Sequence, residues 1–410
     1  MPFSSSSPSD RPGLAIIANC VTPYRINLNR LIAAGIPELQ LHTLISHGAA
    51  DFDWDVAVPP EINASWFGGP GDTPMAKLNE APLREWRKGG RLIEYLAAHN
   101  VRAVICGMPR YFSYLRVLLH CHRVGVPIFV RTDSNIRSEK SLRPLQQAVK
   151  SRFYSWWISK ATGVMPMGEF GEQYFCKYGA DPQRMYRVPY TPDYEYFRAV
   201  DPQRLAEFRR QHGLDEDRRY LLFSGRLVHA KRVDLLVDAF RQIAAARPEW
   251  DVVVVGDGRL REELQGRVPE QLQERVHWLG FLECGPLSLA YHACDVLVLP
   301  SGREPWALVI QEAMAAGMAV VASDIVGAAH ELVDDGANGR IFKSGDLQGL
   351  ADALLDVTDL DQLESRKQMS SERLQTWTTE VNPVSEIRRA LADTGVLEST
   401  ATPVVAATEQ

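Results

Sequence analysis

Residues 295–324, DVLVLPSGREPWALVIQEAMAAGMAVVASD, read as strand, turn, helix and strand. DVLVLPS and MAVVASD are short continuous apolar runs, the pattern of strands covered on both faces, and the helix ALVIQEAMAA between them stops at Gly317. This is a βαβ unit, the building block of a parallel sheet. Two acidic residues interrupt it, Glu304 before the helix and Glu312 inside it.

The same alternation extends in both directions. Before the midpoint the apolar runs are LAIIANC from Leu14, AVICG from Ala103, PIFVRTD from Pro127 and GVMPMG from Gly163. A second series follows: YLLFSGR from Tyr220, DVVVVGDG from Asp251, RVHWLGF from Arg275, then the two quoted strands and GRIF from Gly339. Between the series, around residues 190–205, the chain is proline-rich and then charged, with no buried strand. The pattern predicts an α/β protein of two Rossmann-like, doubly wound parallel-sheet domains, 13–195 and 205–378, facing across a cleft. A helix near 380–395 is expected to lean back on the first domain, and residues 1–12 and 399–410 have the composition of disordered tails. No fixed-period repeat is present.

Composition agrees with two cores, because 410 residues exceed the ~250–300 at which a single core stops growing. Residues 1–200 carry 23 Lys and Arg against 17 Asp and Glu, whereas the remainder carries 22 against 34. A basic first half suits an anionic partner, and unevenly solvated faces would give the same count. The net charge of −6 and the lack of basic–aromatic recognition motifs argue against nucleic acid. The six cysteines are scattered without metal or redox spacing, which suits free thiols in a reducing compartment. No secretory signal or long apolar segment is visible, so a cytoplasmic location is expected.

In parallel sheets of this kind ligands bind beyond the carboxyl ends of the strands, and the chemistry-bearing residues follow strands here. After YLLFSG come Gly225, which permits a tight turn, Arg226, and then Lys231 beside a helix start. Two cations and the free N–H groups of a helix entrance make a phosphate site, while two solvated loop cations would look the same. Gly256-Asp257-Gly258 lacks the third glycine of a dinucleotide fingerprint, and marks a turn that a nucleotide or another backbone approaches closely. Five helical steps from Ala307 to Glu312 span ~7.5 Å, roughly the distance from a diphosphate to its ribose. A diphosphate on the first-turn amides would leave Glu312 to accept from ribose hydroxyls, with Glu304 toward the sugar. The plainer alternative makes Glu304 a helix-dipole charge and Glu312 a surface residue.

Taken together, EPWALVIQEAMAAGMAVVASD resembles the E-x7-E segment of retaining, nucleotide-sugar-dependent glycosyltransferases of the GT-B fold, family 4, also called glycosyl transferases group 1. SGRLVHAKRVDLLVDAF is similar to that family's G-R-L-x-x-x-K segment, and VVVVGDGRLREEL, VHWLGF, GAAHELVDDGANGRIF and TWTTEV are similar to its later segments. VTPYRINLNRL and RTDSN resemble a subset with T-P-Y-R near the first strand. The resemblance implies that Arg226 and Lys231 hold the donor diphosphate together with backbone amides near Ala307, Leu308 and Val309. It makes Glu304 the sugar contact and Glu312 the ribose contact, with Gly225, Gly256 and Leu279 completing the donor side and the chain from His277 to Phe281 bordering the base. Tyr24, Arg25, Arg131 and Asp133 are the acceptor-side candidates.

The resemblance further implies a hexosyl transferase using a UDP- or GDP-type sugar and a saccharide or lipid-linked acceptor in cell-surface polysaccharide or glycoconjugate synthesis. It needs no metal or other cofactor, because fixed cations and a helix end can stabilise the departing diphosphate. Two departures stand out: Ala307 replaces the usual glycine, and FVRTDSN carries no histidine where many members have one. Competing readings are a glycan phosphorylase of the same architecture, with pyridoxal phosphate on a lysine, and a non-catalytic nucleotide-sugar-binding module.

Two other stretches invite a function. Asp51, Asp53 and Asp55 in DFDWD imitate a metal-binding Asp-x-Asp but read as a solvated loop. RSEKSLRPLQQAVKSRFYSWWISKATG interleaves basic and aromatic residues, the composition of a helix lying at the inner face of a membrane. Packing of its aromatics into the first domain is the preferred expectation, because the chain runs straight on into a strand. His229, between the two candidate cations, is either a cleft or a solvated residue.

Overall fold

The computed structural model describes residues 11–47, 57–68, 82–139 and 142–398. The first six-stranded sheet contains β1 (Gly13–Ala18), β2 (Gln40–Ile45), β3 (Ala64–Trp66), β4 (Val101–Cys106), β5 (Ile128–Arg131) and β6 (Gly163–Met165), in spatial order β3-β2-β1-β4-β5-β6. The second contains β7 (Arg219–Ser224), β8 (Trp250–Val255), β9 (Val276–Gly280), β10 (Val296–Leu299), β11 (Ala319–Ser323) and β12 (Gly339–Phe342), in order β12-β11-β10-β7-β8-β9. All the pairings are parallel, and both sheets reverse direction beside their first strand, between β1 and β4 and between β7 and β10. Those two switch points face the same cleft.

All six strands expected in the second half are present. In the first half β2 and β3 escaped the sequence reading, for different reasons. QLHTLI in β2 is broken by His42 and Thr43, both buried: Thr43 Oγ1 accepts from Asn29, and the His42 ring is hydrogen-bonded to Tyr95 and Asn63. Side-chain partners thus substitute for apolar character. β3 is a three-residue edge strand, too short to carry a period.

Helix Leu360–Glu380 packs Leu363, Leu374 and Trp377 into the second core. The chain then turns at Asn382, whose side chain accepts from the amides of Val384 and Ser385, and helix Pro383–Asp393 crosses back to bury Ile387, Ala390 and Leu391 in the first domain. Arg388 grips Glu38 there through two hydrogen bonds of 2.9 and 2.6 Å.

The packing expectation for the basic–aromatic segment is half right. Helix Pro144–Ile158 turns Tyr154, Trp157 and Ile158 into the first core, but Leu145, Val149, Phe153 and Trp156 stay exposed. A helix apolar on both sides shows no clear period, so its free face was not legible. Asp51, Asp53 and Asp55 lie outside the described residues.

Candidate functional site

The loop leaving β7 meets the loop leaving β8 backbone to backbone. A side-chain carbon on Gly256, which has φ +121°, would fall 2.0 Å from the carbonyl oxygen of Gly225. The close approach read from Gly256 is therefore to another segment of chain. Beyond Gly225 the exposed Arg226 lines a cavity of about 560 Å3 between the domains. The stem of Lys231 passes Gly225, its Cε 3.9 Å from where a side chain there would begin.

Lys231 ends a short 3-10 turn, His229–Lys231, and the Ala230 carbonyl accepts from the amides of Gly302 and Arg303 at 2.9 and 3.1 Å. That stitch places Lys231 Nζ in an ion pair with Glu304 Oε2. Glu304 is buried, 8 % exposed, and its amide donates to Ser138 Oγ of the first domain at 3.1 Å. Beside it the buried Asn135 donates from Nδ2 to the carbonyls of Pro305 and Ile325, at 3.0 and 3.2 Å. Its Oδ1 accepts the amides of Arg137 and Ser138. Gly327 leaves room for this clamp, since a side chain would strike Pro305 O at 2.4 Å. RTDSN thus contributes mainly through its last residue, Asn135, which the sequence reading did not select.

Ala307 begins helix Leu308–Ala315 in the left-handed region, φ +75° and ψ +75°, where an L side chain is strained. The strain survives because both flanks are anchored. Trp306 Nε1 donates to Gln311 Oε1 at 2.9 Å, and Gln311 Nε2 donates to Tyr190 O and Tyr194 Oη on the chain joining the domains. Leu308 and Val309 line the cavity; the Ile310 amide already bonds the Ala307 carbonyl at 3.1 Å, but the Leu308 and Val309 amides before it have no acceptor within the helix, so this tip offers donors to an anion. We expect Ala307→Gly to keep nucleotide affinity within about twofold. Ala307→Val, with a β-branched side chain at positive φ, should cost about 2 kcal/mol and weaken nucleotide binding. Urea denaturation and titration calorimetry would check both.

Glu312 also lines the cavity and accepts from the Tyr291 hydroxyl at 2.8 Å. Burial pushes its carboxyl up to about 7, the tyrosine hydroxyl only partly offsetting the shift. Tyr291 lies in the apolar helix Cys284–Ala293, and nothing local marked it as a partner.

Helix Pro23–Gly35 supplies the opposite wall through Tyr24, Asn27 and Arg30. Asn27 Nδ2 also donates to the carbonyls of Thr191 and Pro192, binding that helix to the inter-domain segment. The other acceptor-side candidates do not line this cavity. Arg25 Nη1 donates to Asn19 Oδ1 and to the Cys20 carbonyl, at 2.5 and 2.8 Å. Arg131 donates to the carbonyls of Val188 and Pro189, and burial draws its pKa down to about 10. Their hydrogen bonds brace the cleft floor. Asp133 follows β5, half-buried and outside the cavity lining.

On the expected base side, Leu279 packs against the second core while Phe281 and Leu282 border the cavity. His277 lies 3.3 Å from the Asp251 carboxylate at the other end of the sheet, away from the cleft. His229 is exposed on its turn.

Residues 206–375 match the family model of glycosyl transferases group 1. The second domain is a group 1 glycosyltransferase domain. Two similar proteins are the alpha-D-kanosaminyltransferase of Streptomyces kanamyceticus and the lipopolysaccharide core biosynthesis mannosyltransferase LpsB of Rhizobium meliloti. The first is 26 % identical over 62 % of this chain and 67 % of its own length. The second is 35 % identical over 36 % of this chain and 44 % of its own. The chain thus spans about two thirds and less than half of these relatives. Across both domains the fold matches Anabaena HepE, crystallised with UDP and glucose, at TM-score 0.70 and 19 % identity, covering 94 % of this chain and all of that one. The architecture is GT-B, with the group 1 domain carrying Arg226, Lys231, Glu304 and Glu312.

Proposed function

We propose that the protein transfers a hexose from a UDP- or GDP-type sugar to a saccharide or lipid-linked acceptor, with retention of configuration and without a metal. One observation carries the reading. Arg226, the Leu308–Val309 helix tip and Glu312 line one inter-domain cavity, and the Lys231–Glu304 pair adjoins it at Gly225. This is the arrangement a nucleoside diphosphate sugar requires. The helix tip and two cations bind the diphosphate, Glu312 the ribose and Glu304 the sugar.

In the proposed reaction the bond from the sugar's anomeric carbon to the diphosphate oxygen breaks, and the acceptor oxygen bonds that carbon from the same face. The acceptor proton passes to the departing phosphate oxygen, so no protein base is required and Asp133 has no obligatory step. Arg226, Lys231 and the helix dipole stabilise the charge that develops on the diphosphate. Synthesis of a cell-surface glycoconjugate fits the names of the similar proteins, which include a lipopolysaccharide core mannosyltransferase.

A thermal-shift panel of nucleoside diphosphates and their sugars tests the reading. One base should stabilise the protein by about 2.7 kcal/mol at 100 times its dissociation constant, and the matching sugar nucleotide should be hydrolysed or transferred. A panel in which no nucleotide raises the melting midpoint refutes the assignment.

A further inference from the structure

Sixteen large apolar side chains are exposed among the described residues, and they are not evenly spread. Eight belong to one layer: Leu142, Leu145, Val149, Phe153 and Trp156 on or just before helix Pro144–Ile158, Leu83 and Trp86 on helix Pro82–Ala98, and Phe112 at the start of helix Phe112–Val124. These three helices cover the same face of the first sheet, where Leu92, Val117, Leu118 and Trp157 share one core. On the third helix Leu145 is 77 % exposed, Val149 64 %, and Phe153 and Trp156 41 % each. At 100° per residue these four fall within one narrow stripe, and Arg152 falls within it too.

The segment of chain that carries this layer is one-sided in charge. Residues 82–160 hold 15 Lys and Arg against 4 Asp and Glu, and no acidic residue occurs from 140 to 168. Of the four acids, Glu85 is engaged by Lys88, and Glu139 by Lys150 and Lys177. Arg152 stands exposed within the apolar stripe, and Arg143, which caps the start of the helix, is exposed too. An aromatic and aliphatic stripe edged by arginines is complementary to one surface above others: headgroup phosphates over acyl chains.

We propose that this helical face docks the protein on an anionic lipid bilayer, with Leu145, Val149, Phe153 and Trp156 entering the interface and Arg143 and Arg152 meeting lipid phosphates. All three helices return antiparallel to the strands, so their first turns lie at the cleft end of the sheet. Leu83, Trp86, Phe112 and Leu145 occupy those turns, and docking sets the mouth of the cleft beside the membrane. The proposal does not depend on the sugar-transfer reading, because binding is measured without donor or acceptor.

The test is co-sedimentation of the full chain with vesicles of phosphatidylcholine alone and of phosphatidylcholine with phosphatidylglycerol, at low and high salt. Partition onto the anionic vesicles should exceed that onto neutral ones by about tenfold and fall with salt. The double variant Leu145→Glu/Val149→Glu, at exposed positions, should lose about tenfold of the partition with an unchanged melting midpoint. Arg143→Gln/Arg152→Gln should lose most of the salt dependence, and this milder pair keeps the test decisive if the glutamates disturb folding. Wild-type protein that stays in the supernatant with both vesicles overturns the proposal, as does a glutamate variant that binds like wild type. So does analytical ultracentrifugation showing a wild-type dimer that the glutamates convert to monomer, which would make the face a contact between copies of this chain.

Discussion

Replacing Lys231 by alanine is expected to lower sugar transfer by about 10²–10³-fold, and also to destabilise the protein by about 3 kcal/mol. The first effect follows from losing a cation that faces the leaving diphosphate in the proposed reaction. The second follows from burial: Glu304 is 8 % exposed and loses its ion-pair partner, leaving an uncompensated carboxylate. Glu304→Ala should be milder for stability, about 1 kcal/mol, because the more exposed Lys231 can reach solvent. It should nevertheless be as damaging to turnover. The double variant should be more stable than Lys231→Ala alone, a coupling of about 2 kcal/mol, because removing both charges removes the stranded one. Urea unfolding of the four proteins measures the cycle. Strictly additive costs would mean that the pair does not form, and near-normal turnover in both single variants would remove these residues from the reaction.

The second large effect concerns Glu312, where stability and binding should move in opposite directions. Its carboxyl is raised from the ordinary glutamate value to about 7 by burial. Below about pH 4.5 folded and unfolded chains are both protonated at this position, and the group is neutral for stability. Between about 4.5 and 7 the unfolded chain ionises first, so stability falls as pH rises. Above 7 the full penalty is present, about 3 kcal/mol for a shift of this size. Glu312→Gln removes the penalty. The variant should therefore be more stable than wild type at pH 8, by up to about 3 kcal/mol, and equal to it near pH 4.5. Its affinity for nucleoside diphosphates should drop by about tenfold or more, since a charged acceptor for the ribose hydroxyls is lost. Denaturation midpoints across that pH range, with nucleotide titrations at pH 8, check both halves. Equal stability at every pH would contradict the partial desolvation of the carboxylate, and unchanged affinity would contradict its proposed contact with the ribose.

What makes Glu312 costly to the free protein is its helix. Ile310, Ala313 and Met314 beside it are buried, so the half-buried carboxylate loses part of its water when the helix docks on the sheet. A residue that destabilises the fold and faces a cavity is what a binding site is expected to contain. Ala307 belongs to the same pattern, as a backbone strain held in place by Trp306, Gln311 and the segment joining the domains.

Much of this architecture was legible in the amino-acid order. The strands of the second sheet are buried on both faces, so they read as unbroken apolar runs. Turn glycines and the Arg226, Lys231, Glu304 and Glu312 spacing mark the strand ends by local chemistry alone. Strand β2 was hidden because His42 and Thr43 obtain side-chain partners that no local pattern announces. Only the tertiary structure decided that Lys231 meets Glu304 and that Asn135 clamps the loop carrying it. It also decided that Arg25 and Arg131 brace the floor, and that one side of helix Pro144–Ile158 lies open. The division has a physical cause. Periodicity and turn geometry act over a few residues and are written in the chain, whereas a partner 73 or 170 positions away is selected by the packing of whole elements.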